Sequence, residues 1–241
     1  MQDKFEEQTL VSGNHHILYD PQLVTAPLAD LFNPAALTAE GSLTGHAAGR
    51  GEAYFLRRGN AQWVLRHYRR GGLVGRFCRD TFLGWRVSAS RSWREWRLLA
   101  RLTQLGLPVP RPVAACATMG FGHYRADLIT ERIVNATTLA DQLVEKDLPA
   151  EQWAAIGRCL KRFHACGVFH ADLNARNILL DDQNRTFLID FDRCEIRATG
   201  PWQLRNLQRL RRSLIKIGHG TTPWHFHDGN WDALLSGYRS A

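Results

Sequence analysis

One stretch constrains this chain more than any other. It reads His170-Ala-Asp172-Leu-Asn-Ala-Arg-Asn177, runs straight into Ile-Leu-Leu, and is followed eighteen residues after Asp172 by Leu188-Ile-Asp190-Phe-Asp192. The runs Ile178–Leu180 and Thr186–Ile189 are short, apolar and strand-like, and Asp181-Asp-Gln-Asn184 between them is turn-forming, so the segment reads as a small hairpin. Whatever fold surrounds it must present Asp172, Asn177 and Asp190 at the ends of stiff apolar strands. Singly, each has a plain explanation: a loop aspartate is solvated, and an asparagine after one forms a turn. The constraint comes from the combination and its spacing.

The rest of the chain shows no internal repeat. Residues 1–35 read as irregular, because Pro21, Pro27 and Pro34 limit any helix. From Leu37 the texture is strand-like, punctuated by Gly41, Gly45, Gly49 and Gly51. Ala53–Leu56, a turn at Arg58–Ala61 and Trp63–Tyr68 continue it as an antiparallel meander. A basic loop centred on Gly71, Gly72 and Gly75 leads to a helix over Ser90–Gln104, where Trp93, Trp96, Leu99 and Leu102 recur at helical spacing before Gly106. After Pro108-Val-Pro-Arg-Pro112 come strand-like runs near Val113–Ala117 and Tyr124–Arg132. Residues 150–166 then carry Trp153, Ile156, Leu160 and Phe163 on one helical stripe, and helices near 203–217 and 229–238 follow the hairpin. This order predicts an α+β fold in two lobes. Residues 1–132 form an N-terminal extension and a small antiparallel sheet with one helix; residues 133–241 form a mainly helical lobe that carries the hairpin.

With 241 residues the chain can bury a sizeable core. No apolar run approaches the roughly 20 residues that span a bilayer, and the polar opening MQDKFEEQ is unlike a secretory signal. A cytosolic protein is therefore expected. Cys78, Cys116, Cys159, Cys166 and Cys194 are scattered, odd in number and without a CxxC pair, which argues against a disulfide framework or a zinc site. The net charge of +8 is uneven. Residues 57–101 hold twelve Arg against Asp80 and Glu95, a net of +10, and residues 197–216 hold five Arg and one Lys with no acid, a net of +6. Two basic segments on an otherwise acidic chain point to a polyanionic partner: nucleic acid, anionic lipid headgroups or a phosphorylated substrate.

The His170–Asp192 stretch resembles the catalytic loop and metal-binding turn of the protein-kinase-like superfamily, H-x-D-x-x-x-x-N followed by D-F-G. The chemistry suits the residue types. Phosphoryl transfer needs a divalent metal on the ATP phosphates, and Mg²⁺ prefers oxygen ligands. The resemblance implies ATP and Mg²⁺ as cofactors, with Asp190 and Asn177 as metal ligands. It makes Asp172 the catalytic residue that orients the attacking hydroxyl and His170 a structural support of the loop. Upstream it implies a glycine-rich phosphate loop, for which Gly49-Arg-Gly51 lies in the right place without the full G-x-G-x-x-G pattern. It also implies a strand lysine paired with a helix glutamate. The chain has only four lysines (Lys4, Lys146, Lys161 and Lys216), none in the strands of the small lobe, so the role falls to Arg66, with Glu95 as partner. Glu131, at the end of the second strand-like run, completes the nucleotide-binding set.

Two further departures narrow the reading. Asp192 replaces the glycine of D-F-G, and no long activation segment follows; the chain passes through Pro201-Trp202 into a basic helix. Both favour a compact kinase for a small or lipid-linked acceptor. Val64-Leu-Arg-His-Tyr-Arg-Arg-Gly-Gly72, Arg94-Glu-Trp-Arg-Leu-Leu-Ala100, Gly106-Leu-Pro-Val-Pro-Arg-Pro112 and His170–Asn177 resemble the bacterial Kdo kinase family of lipopolysaccharide kinases, over about residues 45–195. That resemblance implies transfer from ATP to the 4-hydroxyl of 3-deoxy-D-manno-octulosonic acid (Kdo) on a lipid A precursor. It also implies an anionic glycolipid partner and a peripheral position on the cytoplasmic face of the inner membrane, with no nucleic-acid partner.

Alternatives remain open at this point: a heptose kinase, an antibiotic phosphotransferase, an inactive kinase-fold binding module and a nucleic-acid binder. His225-Phe-His227-Asp228 reads as a loop or core feature rather than a metal cluster. Trp85 and the Arg-rich loop Gly71–Arg91 are candidates for contact with a membrane interface.

Overall fold

The computed structural model describes residues 5–25, 29–47, 53–69 and 80–240. The chain divides into two compact units. One comprises the residues up to Leu105 with Pro110–Arg132, the other Gly106–Val109 with the residues from Ile133 onward. Segment 106–109 is tied into the second unit: Leu188 N donates to Pro108 O at 3.1 Å, and the Arg162 guanidinium to Gly106 O at 2.8 Å.

The first unit opens with a hairpin, not the irregular chain expected for residues 1–35. β1 (Gln8–Ser12) and β2 (His15–Tyr19) pair antiparallel across the two-residue turn Gly13-Asn14, with Gly13 at φ +60°, where a glycine meets no Cβ penalty. Pro21 and Pro34 bound elements instead of dissolving them, and Pro27 lies outside the described residues. All three follow β2, and Pro34 is the first residue of α1 (Pro34–Ala39), where its missing N–H costs nothing. The Asn33 side chain caps that helix by accepting from Ala35 N at 3.0 Å. Leu37 thus lies on a helix and not in a strand, and the unit has a second helix besides the expected one.

β3 (Leu43–Ala47), β4 (Ala53–Arg58), β5 (Ala61–His67), β6 (Phe82–Leu83), α2 (Arg91–Gln104), β7 (Pro112–Met119) and β8 (His123–Glu131) complete the unit. Among the described residues the sheet has eight strands, antiparallel throughout, in the order β1-β2-β7-β8-β5-β4-β3, with β6 on β8. Its two faces serve different partners because side chains alternate along each strand. Trp63, Leu65 and Ile129 join Leu31, Phe32 and Leu37 of the α1 region in one core cluster. Arg66 projects to the opposite face, toward α2, whose Ser92 hydroxyl donates to Cys116 O at 2.8 Å. The small residues Ala114, Ala115 and Ala117 of β7, fully buried, let both layers approach closely.

The second unit contains β9 (Ala136–Thr138), α3 (Leu139–Glu145), α4 (Ala150–Ala165), β10 (Val168–Phe169), β11 (Ile178–Asp181), β12 (Thr186–Leu188), β13 (Glu195–Ile196), α5 (Trp202–Gly218) and α6 (Asp228–Ser240). β11 and β12 form the expected hairpin, extended by β9, and β10 pairs with β13. Helices α4 and α6 cross at two glycines. A Cβ on Gly157 would lie 2.0 Å from Leu234 O, and one on Gly237 would lie 2.1 Å from Ala154 O. Only hydrogen at these positions lets the two backbones touch. Among the described residues no helix is long and apolar enough to cross a membrane.

Candidate active site

The loop between β10 and β11 is fixed by side chains that bond to backbone. His170 is buried; its Nε2–H donates to Ile189 O at 3.0 Å, while its Nδ1 accepts from Asp172 N at 3.3 Å. Those two bonds require the neutral ring, and burial accordingly pushes the His170 pKa down. His170 is therefore a brace between the loop and the turn after β12, not a proton carrier. Asn177 Nδ2 donates to Asp172 O at 2.9 Å, and Ile189 N donates to Asn177 O at 3.0 Å. The amide nitrogen being committed, the side-chain oxygen of Asn177 is the atom that can face a cation.

Asp190 follows directly, with φ +65°. A left-handed backbone is costly for a residue other than glycine, and such strain concentrates at functional sites. Phe191, one residue on, is buried between Phe163, stacked at 6.0 Å, and His170, at 5.0 Å between ring centroids. The apolar anchor holds the turn in its strained form. The donor set here, one carboxylate and one amide oxygen on locked backbone, suits a hard divalent cation. Among the described residues no group of three or more His, Cys, Asp and Glu is arranged to hold a metal, and His225, His227 and Asp228 form no such group.

Helix α5 buttresses this loop. Buried Asn206 accepts from His170 N at 3.2 Å and donates to His170 O at 2.9 Å. Ser213 Oγ accepts from Ala175 N at 3.1 Å, and Arg209 forms an ion pair with the half-exposed Asp172 carboxylate. Asn206, Arg209 and Ser213 fall three and four residues apart, on one helical face. Sequence reading saw this helix only as basic. The available signal was Asn206 itself, a polar residue on the stripe of Trp202, Leu207, Leu210 and Leu214.

In the first unit, Arg66 and Glu95 meet. Arg66 Nη2 donates to Glu95 Oε2 at 2.5 Å and to Tyr68 Oη at 3.1 Å, and Tyr68 Oη also donates to Glu95. Burial first, and then the Glu95 charge, raise the Tyr68 pKa well above 10, so it stays a donor. Arg91 lies over the Tyr68 ring at 5.5 Å. Tyr68 was missed as a partner, although it stands two residues from Arg66. Glu131 is placed elsewhere. Its pairing with Trp63 puts it on the sheet face opposite Arg66, near the Arg111–Asp20 pair, and burial raises its pKa. Gly49 and Gly51 lie outside the described residues.

Residues 35–238 match the model of the lipopolysaccharide kinase (Kdo/WaaP) family. The chain belongs to this family. It is 41% identical over 228 residues to a 3-deoxy-D-manno-octulosonic acid kinase of Vibrio vulnificus, covering 95% of this chain and 96% of the relative. A protein of the same name from Photobacterium profundum is 40% identical over 233 residues, with 96% and 98% covered. One from Vibrio cholerae is 38% identical over 211 residues, with 87% and 89% covered. The kinase-like α+β fold and phosphotransferase class expected from His170–Asp192 are thus borne out.

Proposed function

We propose that this kinase transfers the γ-phosphate of ATP to the 4-hydroxyl of Kdo on a lipid A precursor, at the cytoplasmic face of the inner membrane. The observation that carries the reading is the braced loop, in which His170, Asn177 and Asn206 fix Asp172 beside the strained Asp190 turn. The names of relatives alike over nearly the whole chain supply the acceptor.

Asp172 accepts a hydrogen bond from the acceptor hydroxyl and orients its oxygen for attack. The bond from that oxygen to the γ-phosphorus forms as the bond to the β–γ bridging oxygen breaks, and the hydroxyl proton passes toward Asp172. Asp190 and Asn177 would hold Mg²⁺, which would supply positive charge to neutralise the phosphates. Arg66, oriented by Glu95 and Tyr68, binds phosphate oxygens with a planar guanidinium. The two basic segments suit an anionic acceptor in an anionic surface.

The test is transfer from ATP and Mg²⁺ to a panel of Kdo-bearing lipid A precursor, heptose-bearing core and aminoglycoside, read as the mass of one added phosphate. The expected product is phosphorylated Kdo, with the position fixed by NMR. Transfer to heptose and not to Kdo would overturn the acceptor; nucleotide binding with no transfer to any acceptor would overturn the active assignment.

A further inference from the structure

The first unit ends, at one edge of its sheet, in an apolar tip that the phosphotransfer chemistry does not use. β6 pairs with the start of β8, so that Leu83 stands opposite His123. Phe82 turns inward onto Tyr124, at 5.6 Å between ring centroids, and alternation sends Leu83 outward. Gly84 N donates to Gly122 O at 3.2 Å, and Gly120 N to His123 O at 2.8 Å, which fixes the turn that carries Phe121. The Trp85 ring lies against Gly122 and meets Phe121 edge to face at 5.7 Å. Leu83, Trp85 and Phe121 are 81%, 73% and 93% exposed. Three large apolar side chains held by backbone pairing, yet almost wholly in water, are an unmet burial.

Charge complementarity says what covers them. Arg86 adjoins Trp85 in sequence and is exposed, as are His123, opposite Leu83, and Arg125, which also pairs with Asp80 at 3.9 Å; residues 57–101, which include Arg86, net +10. Aromatic side chains flanked by arginine suit the boundary between acyl chains and anionic headgroups, where rings sit at headgroup depth and guanidinium groups meet lipid phosphate. A protein partner of like shape would have to supply an acidic rim.

We infer that Leu83, Trp85 and Phe121 form a wedge that docks this kinase on an anionic bilayer, with neighbouring arginines on the lipid phosphates. The inference rests on the membrane position under the proposed function and names the surface that makes contact. No switch or rearrangement is required, because the tip is already presented.

The experiment is co-sedimentation with vesicles of phosphatidylethanolamine and phosphatidylglycerol (3:1), comparing wild type with Trp85→Ser/Phe121→Ser. The expected result is that the double variant loses roughly tenfold or more in partition, while Arg86→Ser weakens binding less and wild type binds poorly to phosphatidylcholine alone. Unchanged melting checks that the exposed substitutions leave the fold intact. Equal vesicle binding by wild type and double variant would overturn the wedge, as would no binding by either. So would light scattering that shows a dimer abolished by the two substitutions, since the patch would then be a contact between copies. Transfer to a water-soluble Kdo acceptor separates this idea from the reading it rests on: the double variant is expected to keep the wild-type rate. Tip-dependent binding without transfer to Kdo would sink the acceptor and leave the wedge standing.

Discussion

Arg66 on β5 and Glu95 on α2 share one bridge, Nη2 to Oε2 at 2.5 Å, and it is the Glu95 side chain that is buried, at 2% exposed, against 24% for Arg66. The cation is thus the member that can reach outward, and the carboxylate is the fixed post that aims it. Arg66→Ala takes the bridging guanidinium away from the buried Glu95 carboxylate, so a loss of about 3 kcal/mol in stability is expected. Nucleotide KM is expected to rise at least about tenfold with it. Arg66→Lys keeps the charge with altered geometry and is expected to fall between the two. Denaturant unfolding with nucleotide titration measures both; unchanged affinity in both variants would assign the phosphate cation elsewhere.

Asp172→Ala removes the group proposed to orient the hydroxyl, and kcat is expected to drop by about 10²–10⁴. Asp172 is half-exposed, so its melting temperature should stay near wild type. Near-full turnover with the true acceptor would show that another group does this work.

Asn206→Ala tests the buttress. It strips both backbone groups of His170 of a partner, for an expected cost of about 1–3 kcal/mol. The loosened loop should lower kcat by roughly ten- to a hundredfold and move nucleotide KM far less. A purely structural role would leave the kcat of the folded fraction unchanged.

Gly237→Ala and Gly157→Ala each drive a Cβ into the backbone of the facing helix, at 2.1 and 2.0 Å. Each is expected to cost about 1–3 kcal/mol. Gly220→Ala is the control, since a Cβ there would lie 4.0 Å from Ile217 O, an ordinary contact. Equal melting of all three variants would mean that α4 and α6 can separate without penalty.

Burial lowers the His164 pKa from 6.5 to about 4, with Tyr238 Oη at 2.7 Å from its Nδ1. The folded chain holds the ring neutral where the unfolded chain would protonate it. Its contribution is therefore complete above pH 6.5 and is lost as the pH falls toward 4, about 2 kcal/mol of it by pH 5. His67 has the opposite sign: Asp127, bonded at 2.6 Å, raises its pKa, so its contribution is complete below pH 6.5 and fades as the pH rises through the raised value. Urea unfolding at pH 7 and pH 5 should show the loss in wild type and a flatter dependence in His164→Gln.

The residues that were legible were those with a local cause. Trp153, Ile156, Leu160 and Phe163 sit on a helix because their spacing admits little else, and Asp181–Asn184 turns because its residues favour it. The hairpin at Gly13-Asn14 was equally local, but the prolines after it dominated the reading. Glu131 lies on the sheet face opposite Arg66 through its pairing with Trp63, a placement that only the register could give, since register decides which face a strand residue takes.

By itself, then, the order of residues in His170–Asp192 determined the kind of chemistry, since oxygen ligands at that spacing on apolar strands suit a metal-bound phosphate. Only the tertiary structure decided what holds those groups still. Asn206 and Arg209 lie more than thirty residues from their partners His170 and Asp172, and Tyr68 reaches Glu95 across 27. Such contacts form because buried polar groups must find partners wherever the packed chain offers them, and no local pattern states where that will be.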